Sequence, residues 1–432
     1  MHADLPIDAR AAAILADQQL RFELVDSNDT ERLGSWLQAE QRGFYGPPMS
    51  DKTLSEFVAG VAYRRRSGVW DDSGAQAHFP IATVDSWATP LTVPGERSID
   101  GWAISAVTVA STHRRRGIAR QLLESELRAA VALDVPLAML TVSESTIYGR
   151  FGFGAATFAA DIEVDARKAR WTGATARGRT HFASTAQLRD DAVALIETVR
   201  LTTPGEIATW PHLWDRTFGI STDDSDLAKK LRGIRYLDEN GELHGVLLYS
   251  MEPHERDFSR HTARVHSLIA ATDDAYSALW SHLLELDLTE RIVAPLRPVD
   301  EPLRWLVSDQ RAVRTVDVRD HLWLRILDVP AVLSARSYSA PLSTTFEISD
   351  DLGFTTGRYL VNISSGQATV TRTEDAAALA LSINDLSSLF LGGVSAVTLA
   401  RAGRVAELEP GAAAGVDSSF RSPRVPHLPI WF

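Results

Sequence analysis

Residues 106–128, AVTVASTHRRRGIARQLLESELR, constrain the fold of this chain more than any other stretch. The run Ala103-Ile104-Ser105-Ala106-Val107-Thr108-Val109 alternates in polarity, which predicts a half-buried strand. A basic turn, Arg114-Arg115-Arg116-Gly117, follows. Beyond it Ile118, Ala119, Leu122, Leu123, Leu127, Ala129 and Ala130 recur at helical spacings, so the chain enters a helix with one apolar face. Packing that face fixes the first turn of the helix. The N–H groups there lack intrahelical acceptors and lie at the positive end of the helix dipole. Gly117 permits close approach, and arginines on both sides offer charge-assisted hydrogen bonds. Strand, basic turn and helix together predict an anion site suited to a pyrophosphate.

The turn Arg114-Arg115-Arg116-Gly117-Ile118-Ala119 resembles the acetyl-coenzyme A loop of the GNAT acyltransferases, Gln/Arg-x-x-Gly-x-Gly/Ala. The V-x-V strand before it, Val107-Thr108-Val109, and the amphipathic helix after it match the same pattern. A plain basic surface turn is the competing reading. The resemblance implies that backbone groups of Val107, Thr108 and Val109 align the pantetheine arm. Arg114, Arg115, Arg116, Gly117, Ile118, Ala119 and Arg120 would then surround the phosphates.

A chain of 432 residues exceeds one ordinary core and predicts about two to four domains. A hydrophobic share of 45% with 23% charged residues places it among globular rather than disordered chains. The net charge of -12 argues against nucleic acid as the main partner and is compatible with cationic substrates. Without cysteine there is no disulfide, thiolate nucleophile or cysteine-ligated metal, as suits a reducing compartment. The N-terminal stretch lacks the basic-then-apolar pattern of a signal peptide, and no apolar run is long enough to span a membrane. The expectation is a soluble cytoplasmic protein.

In chain order, residues 1–20 predict an alanine-rich helical leader, and residues 21–25 a strand. Thr30 is the expected cap of a helix through Trp36-Leu37, broken at Gly43-Phe44-Tyr45-Gly46-Pro47-Pro48. Phe44 and Tyr45 are read as loop packing in preference to a substrate cleft. Arg64-Arg65-Arg66 is read as a solvated helix end. Residues 81–84 and 91–93 predict strands, completing an α/β pattern around the opening motif.

After the long helix, residues 137–142 predict a buried strand, and Ser145-Thr146-Ile147-Tyr148-Gly149-Arg150-Phe151-Gly152-Phe153-Gly154 follows. Its superficial Gly-x-x-Gly-x-Gly lacks the βαβ unit and ribose-binding acid of a dinucleotide site. It resembles the GNAT phrase Y-x-x-x-G-F, in which a tyrosine lies near the thioester sulfur; packing of helix on sheet is the alternative role for Tyr148. Residues 91–95, 112–117, Ser143-Glu144 with 147–152, and 322–326 together resemble the enhanced intracellular survival (Eis) acetyltransferase family across nearly the whole chain. That resemblance implies two GNAT-like domains, a C-terminal domain similar to sterol carrier proteins, and a homohexamer. It also places Ser143 and Glu144 near the cofactor.

The expected fold class is therefore multidomain α/β (α+β). The expected domains are a catalytic GNAT domain over 1–156, a degenerate second GNAT domain over 157–322, and a sterol-carrier-like α+β domain over 323–432. Physical signals support the second copy. Asn240-Gly241 between strand candidates predicts a hairpin, and strand 263–270 leads into helix 275–286. Asp273-Asp274 stands where the first copy has arginines and should repel a pyrophosphate, so this copy is expected to bind no cofactor. From 323 onward, a strand, a helix at Pro330 and strands near 344–348, 358–363 and 368–373, completed by the segments 382–391 and 395–402, predict an α+β domain. That domain is read as scaffold and interface rather than lipid site.

The tail, Val425-Pro426-His427-Leu428-Pro429-Ile430-Trp431-Phe432, is apolar and stiffened by two prolines, which predicts docking. By the Eis resemblance, the α-carboxylate of Phe432 is the catalytic base and Tyr148 the acid. Members of that family tend to carry an acid before the final phenylalanine. Trp431 here departs from that pattern and weighs against multiply charged antibiotics as acceptors. The histidines, among them His254, His261 and His266, show no H-E-x-x-H spacing, and no G-x-S-x-G elbow occurs, so zinc and serine hydrolysis have no support. The expected reaction is acetyl transfer from acetyl-CoA, without a metal, to a primary amine of a cationic small molecule such as an aminoglycoside or polyamine. A lysine acetyltransferase and a non-catalytic acetyl-CoA sensor are the rival readings. No nucleic acid or membrane partner is expected.

Overall fold

The computed structural model describes residues 5–220 and 225–432; the first four residues of the alanine-rich leader lie outside them. The chain forms two compact units, residues 1–156 with 322–423 and 431–432, and residues 157–321 with 424–430. Roughly a third of the chain is helix and a third strand, in three sheets, which is the α/β class expected.

In the first unit the leader helix α1 (Ala9–Ala16) is capped by Asp8 and buries Ala11 and Leu15. The remaining elements before the helix that follows the basic turn are β1 (Arg21–Leu24), α2 (Thr30–Gly43), α3 (Asp51–Val61), β2 (Arg65–Trp70), β3 (Ala82–Val93) and β4 (Arg97–Val109). Then follow α4 (Ile118–Ala132), β5 (Leu137–Thr141), α5 (Ser145–Tyr148) and β6 (Gly154–Ala155). Asp29, not Thr30, caps α2: its carboxylate accepts from the N–H of Arg32, while Thr30 is the first helical residue. The two separate strands expected at 81–84 and 91–93 are one strand, β3, paired along β4 from Ala82↔Val109 to Val93↔Arg97. The last sheet neighbour comes from far along the chain: β14 (Leu322–Ile326) lies between β5 and β6, giving the order β1-β2-β3-β4-β5-β14-β6.

The triple arginine is not a solvated helix end. Arg64 precedes β2 and Arg65 and Arg66 open it, all three under 8% exposed. Alternation sends neighbouring side chains to opposite faces of a strand, and each finds a partner. Arg65 donates to Glu126 of α4 at 2.6 Å, and the same carboxylate accepts from Ser86 Oγ at 2.6 Å and Trp102 Nε1 at 3.2 Å. Arg64 pairs with Asp85 at 3.1 Å and lies over the Trp87 ring at 3.6 Å. Charge runs usually face water, but here burial is offset by carboxylates on neighbouring elements, which no local pattern reveals. The Arg65–Glu126 pair also ties α4 to the sheet. Replacing Arg65 by Met should leave Glu126 as an uncompensated buried charge and cost about 3–5 kcal/mol of stability, read as a lower urea midpoint. A midpoint equal to that of the parent chain would mean the pair contributes nothing net.

The second unit repeats the plan. Its elements are β7 (Phe158–Asp165), β8 (Arg179–Ala183), α6 (Thr185–Arg200), α7 (Pro211–Thr217), α8 (Ser225–Lys230), β9 (Leu231–Leu237), β10 (Leu243–Glu252) and β11 (His261–Ala270). They continue with α9 (Asp273–Leu284), β12 (Thr289–Arg297) and β13 (Val313–Asp320), in the order β13-β7-β12-β11-β10-β9-β8. As in the first sheet, three antiparallel pairings lead to one parallel pairing, β11 with β12, across an intervening helix. The hairpin expected at Asn240-Gly241 joins β9 to β10. The sixth strand of each sheet is exchanged in sequence order. β7 directly follows the first fold copy yet pairs with β12, while β14 follows β13 yet pairs with β5.

The tail segment 424–430 belongs to this second unit and is docked as expected. His427 donates its backbone N–H to Pro204 O at 2.8 Å, and its Nε2 meets Leu296 O at 2.8 Å. His321 Nε2 meets Ile430 O at 2.8 Å, and Leu428 is 1% exposed. Burial pushes His321 down to about 4 and His427 down to about 3, so both rings are neutral at pH 7.

The last sheet, in the first unit, is built from β15 (Leu342–Ser349), β16 (Gly357–Ser364), β17 (Gln367–Arg372), β18 (Leu379–Ser382) and β19 (Val405–Glu407), in the order β17-β16-β15-β18-β19. Helices α10 (Val329–Ala335), α11 (Ile383–Leu389), α12 (Ala396–Arg401) and α13 (Ala412–Phe420) accompany it. Its interior is filled by Tyr338, Phe346 and Phe420 in edge contacts, with the buried Arg336 over the rings of Tyr338 and Phe420. Among the described residues no helix is long and apolar enough to cross a membrane.

Candidate active site

The site grows from the parting of β4 and β5. These parallel strands are paired only at Trp102↔Ala138 and Ala103↔Met139. Beyond Ala103, β4 runs six residues further to Val109, and β5 runs two further, to Thr141, without registered pairing between them. A bulge contributes to the bend: Ala106 has φ 54°, and the register with β3 shifts between Thr83 and Asp85. Val107, Thr108 and Val109 therefore lie on a strand edge without registered pairing to β5.

At the end of this cleft the basic turn leads into α4. Arg115 at φ 65° and Gly117 at φ 78° are both left-handed, the conformation that turns successive N–H groups to one side. A Cβ at Gly117 would meet no atom within 4 Å, so the space before the helix is open. Gly117 caps α4 without a side-chain hydrogen bond, which leaves the first-turn N–H groups of Ile118, Ala119 and Arg120 to an external acceptor. The Ile118 side chain is buried at 1% exposure, which leaves only its backbone to face an external group. Arg114 donates to Tyr45 Oη at 3.3 Å, Arg116 to Gln18 O at 3.2 Å, and Gln18 Nε2 returns a bond to Arg116 O at 3.3 Å. His113 pairs with Asp71 at 2.9 Å. Three anchors thus hold the turn, and Arg115 and Arg120 remain exposed at its mouth.

Phe44 and Tyr45 are 53% and 83% exposed, contrary to the loop packing read from sequence. The end of α2 nevertheless meets the cleft, because a Cβ on Gly43 would lie 2.5 Å from Thr108 Cβ.

At the opposite side stand the two expected catalytic residues. Tyr148 ends α5, half-buried, with its ring edge-on to Phe153 at 6.2 Å. Burial and the Glu144 carboxylate push its hydroxyl above the ordinary tyrosine value. Ser143 and Glu144 form the exposed turn between β5 and α5. Phe432 is held by Thr141, the last residue of β5. The threonine hydroxyl donates to Phe432 O at 2.6 Å and accepts from Phe432 N–H at 3.2 Å. The Phe432 ring meets Trp87 edge-on at 5.7 Å. Thr141 and Trp87 escape the sequence reading. A hydroxyl ending the apolar run Leu137-Ala138-Met139-Leu140 is the one local signal for the first; Trp87 carries none.

The second fold copy shows how such a site closes. Thr272 caps α9, its Oγ1 accepting from the N–H of Ala275 at 3.1 Å. Asp274 accepts from the Tyr236 hydroxyl and from the N–H of Arg177 at 3.3 Å. Where α4 has no side-chain cap, α9 carries the Thr272 hydroxyl on one N–H and two acidic residues in its first turn.

Models described as acetyltransferase (GNAT) domains match residues 31–156 and 205–326, and a sterol carrier protein domain matches residues 329–429. The chain is 35% identical over 407 residues to a protein described as an uncharacterized N-acetyltransferase from Streptomyces coelicolor, covering 93% of this chain and 98% of the relative. It is 35% identical over 340 residues to the N-acetyltransferase Eis of Mycobacterium tuberculosis, covering 77% and 81%. The crystal structure of Eis1 from Mycobacterium abscessus aligns with a TM-score of 0.80 at 29% identity, over 96% of this chain and 100% of that one. A GCN5-related N-acetyltransferase from Anabaena variabilis shares the fold at TM-score 0.78 and 17% identity, over 95% and 100%.

Proposed function

Because the chain belongs to the Eis family of GNAT N-acetyltransferases, we propose that it moves acetyl from acetyl-CoA to a primary amine of a cationic small molecule, an aminoglycoside or polyamine, with Phe432 as base and Tyr148 as acid. The observation that carries this reading is the seating of Phe432 on Thr141, at the open end of the β4–β5 cleft. An ammonium has no lone pair and must lose a proton before attack. A free α-carboxylate, with an ordinary pKa of about 3.5, is anionic at neutral pH and can organise that loss. Attack on the thioester gives a tetrahedral intermediate. As it collapses, coenzyme A leaves as a thiolate, which Tyr148 stabilises and protonates.

Trp431, 40% exposed beside the base, adds no charge for a polycation. Thiol release should therefore be screened across polyamines, aminoglycosides and lysine peptides. Turnover confined to lysine peptides would replace the small-molecule reading, and binding of acetyl-CoA without any transfer would replace catalysis by sensing. Light scattering of the purified protein tests the homohexamer that the family resemblance implies.

The cofactor is proposed to rest its phosphates on Arg114, Arg115, Arg116 and the N–H groups from Gly117 to Arg120, with its arm along Val107, Thr108 and Val109 near Ser143 and Glu144. Calorimetry should find one acetyl-CoA per chain, since α9 is capped and acidic. Arg115→Ala should weaken binding by about 1.5–3 kcal/mol, the scale of a charged hydrogen bond. Two equivalent sites per chain, or unchanged affinity in the variant, would overturn the respective assignments.

A further inference from the structure

The turn that follows Tyr148 is not held by its own domain alone. Three of its backbone carbonyls, those of Gly149, Phe151 and Phe153, accept hydrogen bonds from side chains more than 170 residues away. Asn384, the second residue of α11, uses one amide nitrogen for two of them, donating to Gly149 O at 2.6 Å and to Phe153 O at 2.7 Å. Arg325 of β14 donates Nε to Phe151 O at 2.7 Å and Nη2 to Asp350 Oδ1 at 2.7 Å, with both side chains at 1% exposure or less. The backbone of α11 also lies against the turn. A Cβ on Gly154 would fall 1.9 Å from Asn384 O and 2.6 Å from Ser388 Oγ, so only glycine admits the helix there.

The two carbonyls bridged by Asn384 bracket the turn. Gly149 adjoins Tyr148 in sequence, and Phe153 supplies the ring against which Tyr148 is set edge-on. One donor thus fixes both the backbone leaving Tyr148 and the neighbour that orients its ring. A four-residue helix has no cooperative stability of its own, so the direction of its last side chain depends on such outside constraints.

From this juxtaposition we infer that Asn384, in the sterol-carrier-like stretch, is a positioning residue for acetyl transfer: its amide sets the turn that aims the Tyr148 hydroxyl. The inference rests on the reading of Tyr148 as proton donor. It gives the C-terminal layer a part in the chemistry without any ligand of its own.

The test is a double-mutant cycle on the full-length protein, with the fastest acceptor from the amine panel, comparing the parent chain, Tyr148→Phe, Asn384→Ala and the double variant. Asn384→Ala should lower kcat about tenfold or more, the order expected when a reacting group is displaced by a fraction of an ångström. The KM for acetyl-CoA should stay within about twofold, because the phosphate turn is untouched. In the Tyr148→Phe background the same change should have almost no further effect, since there is no hydroxyl left to aim. A general loosening of the fold would instead lower kcat by the same factor in both backgrounds, and that result, or a parent-like kcat for Asn384→Ala, would overturn the inference. Parent-like turnover of Tyr148→Phe is a separate outcome: it removes the acid role and the inference with it. Should Asn384→Ala fail to fold, Asn384→Ser, whose hydroxyl is too short to span both carbonyls, takes its place in the cycle with the same expectations.

Discussion

Appending one glycine after Phe432 should abolish acetyl transfer while leaving the fold and the affinity for acetyl-CoA intact. The added residue converts the proposed carboxylate into a neutral amide and moves the terminal charge by up to about 3.6 Å. The hydrogen bonds of Phe432 N and O to Thr141, and the contact of its ring with Trp87, can all persist in the extended chain. The change is therefore confined to the charge and its place. Misplacing a reacting group by about 1 Å costs on the order of 100-fold, and here the base itself is removed from its position. Phe432→Ala makes the complementary change, because it keeps the carboxylate and loses the ring packing on Trp87. It should retain measurable turnover with looser positioning. Acetylation rates for the three chains, with melting temperature checked in each, decide the matter. Full activity in a folded, one-glycine extension would mean that another group deprotonates the amine.

That experiment turns on a feature legible in the sequence only in part. Two prolines and an apolar ending announce a docked tail, because burial there needs no long-range information to be anticipated. What receives the tail was not legible. Thr141 lies nearly three hundred residues earlier, and nothing around His321 or His427 marks them locally as the holders of tail contacts. The same division runs through the fold. The strand, basic turn and helix at 103–132 are written in local periodicity and turn chemistry, and they emerge as expected. The arginines at 64–66 mislead because a strand that buries charge looks, over a short window, like a helix end that exposes it; only Glu126 and Asp85 on neighbouring elements make their burial tolerable. The placement of β14 beside β5 and of β7 beside β12 leaves no local trace either, since nothing within a strand's own residues names its sheet neighbour. Asn384 belongs with these. One polar residue at a helix start predicts a capping role, and its hold on the Tyr148 turn exists only in the folded chain.

The second large effect is expected at Tyr148 itself. Tyr148→Phe keeps the ring set edge-on to Phe153 and removes one oxygen, so the turn and the cofactor cleft should be unchanged. Burial and Glu144 raise the hydroxyl above its ordinary value, so it stays protonated throughout the neutral range and is available as a donor. An ordinary thiol, with a pKa of about 8.5, is the stronger acid, so complete proton transfer to the leaving thiolate brings little gain in water. The contribution expected of the hydroxyl is instead a hydrogen bond that meets negative charge on sulfur as it develops in the transition state. Its loss should slow turnover about 100-fold or more, with acetyl-CoA affinity nearly intact, since the interaction exists chiefly in the transition state. Single-turnover rates isolate that step from product release. A variant that transfers acetyl at the parent rate under those conditions would leave Tyr148 with the packing role, and the thiolate would have to be stabilised from elsewhere in the cleft.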